Sequence, residues 1–325
     1  MGALTELKSG DYKVGDMFAT REAYGKALLE LGAIDQNVVV LDADLSGSTQ
    51  TKHFAKAFPD RFFNMGIAEN NMMGVAAGLA RAGKKPFASS FAMFASGRAW
   101  EFVRNSIAHN HLVVRVCATH SGLTVGEDGA SHQIIEDISI MKVIPGMMVL
   151  VPADAQEAYQ MIYASLDFEK PVYIRLGRAK SPVIFDESYK FTLGKANVLT
   201  TGSDLTIVAC GIMVARALEA AEKLKEQNIN AEVINCASIK PLDWQTIATS
   251  VSKSKKLITI EEHNVLGGMG ETIVSALVEN QVNDFKLKKM GVQDKFGQSG
   301  PALEVLDHYG LAVTDIIQEA QNILN

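Results

Sequence analysis

The sequence predicts an α/β protein made of two doubly wound, mostly parallel-sheet domains. Three observations carry that expectation. Short apolar runs rich in β-branched residues recur along the chain, and stretches of helical pattern separate them. The alternation lapses once, near residue 190, and then starts again. Strands that are apolar throughout, rather than on every second residue, belong to a parallel sheet covered by helices on both faces.

Thr20–Leu31 reads as the first helix and Val38-Val39-Val40-Leu41 as a short strand. Asn71–Arg81, Arg98–Ala108 and Asp154–Ser165 are further helical stretches. Leu112–Val116, Met148–Val151 and Val172–Ile174 are strand-like runs. From Ala179 to Ser203 the pattern gives way to a polar connection holding Pro182, Gly194 and Gly202. A boundary near residue 190 divides the chain into domains of residues 1–190 and 191–325. The second begins with a strand, Leu205–Cys210, that ends in a turn at Gly211. Val214–Lys225 is its helix, and Ala231–Cys236 and Lys256–Ile260 are further strands. The sequence shows no repeat of solenoid period and no low-complexity tract.

The 325 residues suffice for two real cores. An apolar share of 47% and a charged share of 21% are those of an ordinary soluble globular protein. No apolar run approaches the roughly 18–20 residues of a membrane span. The stretch Met1–Val14 is polar and mixed in charge, unlike a signal or transit peptide, so a cytoplasmic location is expected. Cys117, Cys210 and Cys236 are scattered and read as buried thiols of a reducing compartment. The net charge of −6 argues against a nucleic-acid partner. A phosphorylated substrate would have to be met by local cations.

Glu69 stands where the apolar segment Phe62–Ile67 gives way to a helix rich in small residues: Gly74, Ala76, Ala77, Gly78 and Ala80. A carboxylate is favoured at a helix N-terminus by the macrodipole, so Glu69 is either that or a functional acid. Phe91 and Phe94, three residues apart, are either core or an apolar slot for a flat ring. The segment His120–Gln133 follows a buried strand. It holds Gly122, Gly126 and Gly129, and gathers Glu127, Asp128 and His132 within six residues. Loops at the carboxyl ends of parallel strands are where open α/β sheets bind ligands, which favours a functional reading here. Arg21, Asp44, Ser48, Arg175 and Arg178 are weaker signals. Arg178 follows a strand and a glycine, and suits either a phosphate or a surface ion pair. Leu266-Gly267-Gly268-Met269-Gly270-Glu271 opens a helix, but its spacing does not fit a nucleotide loop. A tight turn or a subunit contact is the better reading.

In order and spacing, these landmarks resemble the C-terminal portion of transketolase, its pyrimidine-binding domain followed by its C-terminal domain. The matching stretches are Ala19-Thr20-Arg21, Asp42–Ser48, Gly66–Asn71, Phe91–Phe94, Thr119-His120, Gly126–Gln133, Ile174–Arg178 and Gly297–Pro301. The resemblance implies thiamine diphosphate as cofactor. Glu69 resembles the glutamate that contacts N1′ of its aminopyrimidine, and Phe91 and Phe94 the aromatics beside that ring. Asp44 resembles an acid near the cofactor pocket. Asp128 resembles the residue that reads a substrate hydroxyl, and His132 the histidine near the donor carbonyl. Arg21, Ser48, His120 and Arg178 resemble the group that grips a sugar phosphate. The implied reaction moves a two-carbon ketol unit from a ketose phosphate to an aldose phosphate, as in the pentose phosphate pathway, with histidines moving the hydroxyl protons.

The family's Gly-Asp-Gly with a downstream Asn, which holds Mg²⁺ or Ca²⁺ and the diphosphate, has no counterpart in this sequence. The resemblance therefore implies a separate N-terminal subunit that supplies it, in an assembly of two plus two chains. The beta subunit of a 2-oxo acid dehydrogenase's decarboxylating component shares the two-domain layout and the separate partner. It typically lacks the Gly-Glu-Asp-Gly-x-x-His run. A deoxyxylulose-phosphate synthase, a transketolase-like enzyme for an unusual sugar, and a non-catalytic relative are the other readings.

Overall fold

A computed structural model describes residues 10–325, so Met1–Ser9 of the polar opening stretch lie outside the described residues. The chain forms two compact units. One holds the residues up to Ser121 together with Ile140–Phe191; the other holds Gly122–Ser139 and Thr192–Asn325. A single break near residue 190 does not anticipate the excursion of Gly122–Ser139 into the second unit. No helix among the described residues is long and apolar enough to cross a membrane.

The main strands of the first unit are β1 (Val38–Asp42), β2 (Phe62–Asn64), β3 (Lys85–Phe91), β4 (Arg115–Thr119), β5 (Met148–Leu150) and β6 (Val172–Arg175). They lie in the order β5-β6-β4-β3-β1-β2, and every one of these pairings is parallel. Every residue of β1 and β4 is buried, as a strand covered on both faces requires. The main helices are α1 (Thr20–Ile34), α2 (Glu69–Arg81) and α3 (Ala155–Ala164). Asp154 caps α3, accepting the Glu157 amide at 2.8 Å, while the Glu157 carboxylate accepts the Ala153 amide in return.

Two expectations need correction. β3 was not visible as a strand, because Lys85, Pro86, Ser89 and Ser90 break the apolar signature that marked its neighbours. Arg98–Ala108 is not a regular helix. Wide π-helical turns at Met93–Arg98 and Val103–Ala108 flank one short α turn at Trp100–Phe102. Gly97 favours helix weakly, and the Ser96 hydroxyl bonds the Ala92 carbonyl four residues back.

In the second unit the strands are β7 (Asn197–Val198), β8 (Leu205–Ala209), β9 (Ala231–Asn235), β10 (Lys256–Asn264) and β11 (Lys286–Val292), in the order β11-β10-β8-β9-β7. β7 alone is antiparallel, at an edge. The helices α4 (Met213–Lys225), α5 (Trp244–Ser254), α6 (Met269–Glu279) and α7 (Val313–Leu324) accompany this sheet. The glycine-rich turn before α6 has its own occupant. Glu261 accepts the Met269 and Gly270 amides at 2.6 and 2.8 Å, and a Cβ at Gly268 would lie 2.4 Å from its Oε2. An internal carboxylate thus fills the position that an anion would take at this helix N-terminus.

Candidate active site

In the first unit the parallel strands deliver the singled-out residues at their carboxyl ends, where such sheets bind ligands. Asp44 follows β1 in a left-handed conformation, with φ of 63°, and its exposed carboxylate accepts the Asn64 amide group at 2.9 Å. The turn behind it is fixed by buried Asp42, which accepts the Leu45 amide and the Thr49 and Thr51 hydroxyls. Burial pushes the Asp42 carboxyl above the ordinary carboxylate range, against the opposing pull of those donors.

His120 follows β4, also in a left-handed conformation, with φ of 58°. Its Nδ1 lies 2.9 Å from the Thr119 hydroxyl and its Nε2 lies 3.5 Å from Arg21 Nη1. Arg21 donates to the Ser48 carbonyl at 2.7 Å, so Ser48 meets this group through its backbone. Burial pulls the Arg21 guanidinium below its usual range, and the charge of Arg178 nearby adds to that. The Nε of Arg21 is buried with no hydrogen-bond partner. Two close cations, an imidazole and an orphaned donor make a place that an anion would relieve.

His120 also stacks on Phe91, centroid to centroid at 3.8 Å, and Phe91 lies nearly parallel to Phe94 at 6.3 Å. The guanidinium of Arg98 covers the Phe94 ring at 4.7 Å and donates to Glu69 at 3.0 Å. Glu69 is the first residue of α2 and is buried, while Arg98 is half exposed. Glu69 is thus a buried carboxylate at a helix start, paired with a guanidinium that covers the Phe94 ring. Arg98 was not singled out from the sequence. Its position four residues after Phe94 was the available signal.

Asp128 and His132 belong to the second unit. Asp128 ends a pair of tight turns over Leu123–Asp128 that break at Gly126, and its side chain is exposed. His132 is partly exposed, with Nδ1 at 3.0 Å from the Ser131 hydroxyl. Gln133 is buried and donates to the Leu123 and Gln298 carbonyls, both at 3.0 Å. Arg175, at the end of β6, is buried.

A buried carboxylate linked through Arg98 to the Phe94 and Phe91 rings fits the aminopyrimidine end of thiamine diphosphate, which offers a ring nitrogen to bond and a flat face to stack. Among the described residues no group of three or more His, Cys, Asp or Glu side chains is arranged to hold a metal ion.

Comparison with known proteins agrees in extent as well as in kind. Residues 16–183 match the family model for the transketolase pyrimidine binding domain, and residues 194–316 that for the transketolase C-terminal domain. A Methanocaldococcus jannaschii chain named as a transketolase C-terminal section is 50% identical over 306 residues, 93% of this chain and 94% of its own length. A 6-deoxy-6-sulfo-D-fructose transketolase subunit from a Clostridium species is 41% identical, over 93% of this chain and 94% of its own. The solved structure of a split gene transketolase, an inactive beta4 tetramer, superposes with a TM-score of 0.87 at 50% identity, covering 94% of this chain and 98% of that one. Against the human transketolase, 33% identical, the chain spans half of that enzyme's length. On this breadth of agreement the chain belongs to the transketolase family and carries its pyrimidine-binding and C-terminal domains.

Proposed function

We propose that this chain is one subunit of a thiamine-diphosphate-dependent transketolase, working in the cytoplasm with a separate chain that holds the diphosphate and its metal ion. The observation that carries the reading is Glu69, a buried carboxylate at the start of α2, coupled through Arg98 to the Phe94 and Phe91 rings. The likeness to a split relative and the missing Gly-Asp-Gly pattern support the partner.

When bound, thiamine diphosphate supplies the electron sink for breaking the carbon–carbon bond next to a ketose carbonyl. This chain's residues do the rest of its share. Glu69 holds a proton on N1′ of the aminopyrimidine in a dry site, where that hydrogen bond is strong. Phe91 and Phe94 orient the ring, with Asp44 near the edge of that pocket. Arg21, His120 and Arg178, with the Ser48 turn, hold the substrate's anionic tail. Asp128 reads a hydroxyl, and His132 moves a proton at the donor's carbonyl end.

Phosphate-bearing ketoses and aldoses of the pentose phosphate pathway are the proposed substrates. A sugar bearing a different anion is the second reading. It is favoured by the relative named for a sulfonated fructose, since paired guanidinium groups grip a sulfonate much as they grip a phosphate.

Mixing the chain with a diphosphate-binding transketolase chain, thiamine diphosphate, Mg²⁺, xylulose 5-phosphate and ribose 5-phosphate tests the proposal. A seven-carbon sugar phosphate should form only when both chains are present, and Glu69→Ala should abolish it while the variant stays folded. Full activity of Glu69→Ala would remove the role assigned to that carboxylate.

A further inference from the structure

We propose that Glu262 is a positioning residue for the loop that carries Asp128 and His132, an inference that rests on the transketolase reading of those two side chains. The loop makes short turns of its own: the Gly129 amide donates to the Gly126 carbonyl at 3.1 Å, and the His132 and Gln133 amides donate to the Gly129 carbonyl at 3.0 Å. Gly122, Gly126 and Gly129 hold φ of 73°, 79° and 74°, a region that glycine enters freely and other residues do not. Those turns hold the loop locally, and the end of β10 anchors them.

Glu262 lies where β10 departs from its register with β11, between Ile260 and Asn264, and is 4% exposed. Its Oε2 accepts the Thr124 amide at 3.1 Å and the Thr124 hydroxyl at 2.9 Å. Gly122 runs so close to this carboxylate that a Cβ there would lie 2.5 Å from the carboxyl carbon. Two residues further along β10, the Asn264 amide donates to the Ile135 carbonyl at 2.8 Å. The end of β10 thus grips the loop on both sides of Asp128 and His132. Gln133 closes the span through its bond to the Leu123 carbonyl. A carboxylate accepting two bonds in a water-poor place is the strongest of these ties. The two side chains it serves are themselves exposed or partly so.

Amide hydrogen exchange on the full chain reads the loop without any activity. Glu262→Ala should speed exchange at Thr124 about tenfold or more while the amides of α7 are unchanged. Glu262→Gln keeps an acceptor oxygen and should stay near wild type. In the two-chain complex with thiamine diphosphate, Mg²⁺ and xylulose 5-phosphate, Glu262→Ala should lower kcat/KM by about 30- to 100-fold, as a misplacement of about 1 Å does. Glu262→Gln should restore most of it, and inhibition by inorganic phosphate should not move. Unchanged exchange at Thr124 in a folded Glu262→Ala chain overturns the proposal, and so does a wild-type kcat/KM. If that variant does not fold, Thr124→Val decides the matter: a loss of about threefold supports the tie, and no loss overturns it. A wild-type complex without ketol transfer would refute the function while leaving the exchange result to stand.

Discussion

Cys117 should be almost inert toward alkylating reagents in the folded chain. It sits in the middle of β4, paired in register with Ser89 on one side and Ile174 on the other, with none of its surface exposed. Burial pushes its thiol up to about 12, against the smaller opposing pulls of Tyr24 and Arg115. An ordinary thiol ionises near 8.5, so at pH 8 about a quarter of it is thiolate; for Cys117 the fraction is on the order of 10⁻⁴. The reactive form is therefore about 2,000-fold scarcer before access is considered. Iodoacetamide labelling at pH 8, read by peptide mass spectrometry with and without guanidinium, measures this. Native labelling within about tenfold of the denatured rate would refute the reasoning. The same shift has a stability consequence. A folded-state value above the unfolded one stabilises fully below about pH 9 and loses that contribution as pH rises toward 12. The slope is about 1.4 kcal/mol per pH unit. Cys117→Ala should flatten the alkaline limb of the stability profile.

Two further predictions follow from buried carboxylates. Asp154→Ala removes the cap of α3 and the acceptor for the Ile184 and Phe185 amides, at 2.7 and 2.9 Å, and should cost about 2–4 kcal/mol in urea unfolding. A loss below about 0.5 kcal/mol would show that water replaces those bonds. Arg98→Ala removes the guanidinium from buried Glu69, but Arg98 itself is half exposed, so screening holds the cost to about 1 kcal/mol. Scanning fluorimetry should show Tm lower by about 2–4 °C, and an unchanged Tm would mean the pair is only incidental.

The sheets were legible where burial wrote a continuous apolar run, as in Val38–Leu41 and Leu205–Ala209. They were illegible where a central strand carries polar residues. β3 spends Ser89 on a bond with the buried Tyr24 hydroxyl, and that demand is invisible along the chain. The candidate residues of the first unit could be found because loops at strand ends concentrate glycine and charge in short stretches. Arg98 and Glu262 could not, because their partners lie 29 and 138 residues away. A carboxylate on a strand looks the same whether it holds a loop or faces water.

The excursion of Gly122–Ser139 bears on where this chain can be divided. Each family model covers an unbroken span, yet the compact units are not unbroken. Severing the polypeptide near residue 190 would strip the downstream half of the glycine-rich segment that Glu262 and Asn264 clasp, and leave those strand ends facing nothing. Fission at that joint should yield two aggregation-prone fragments.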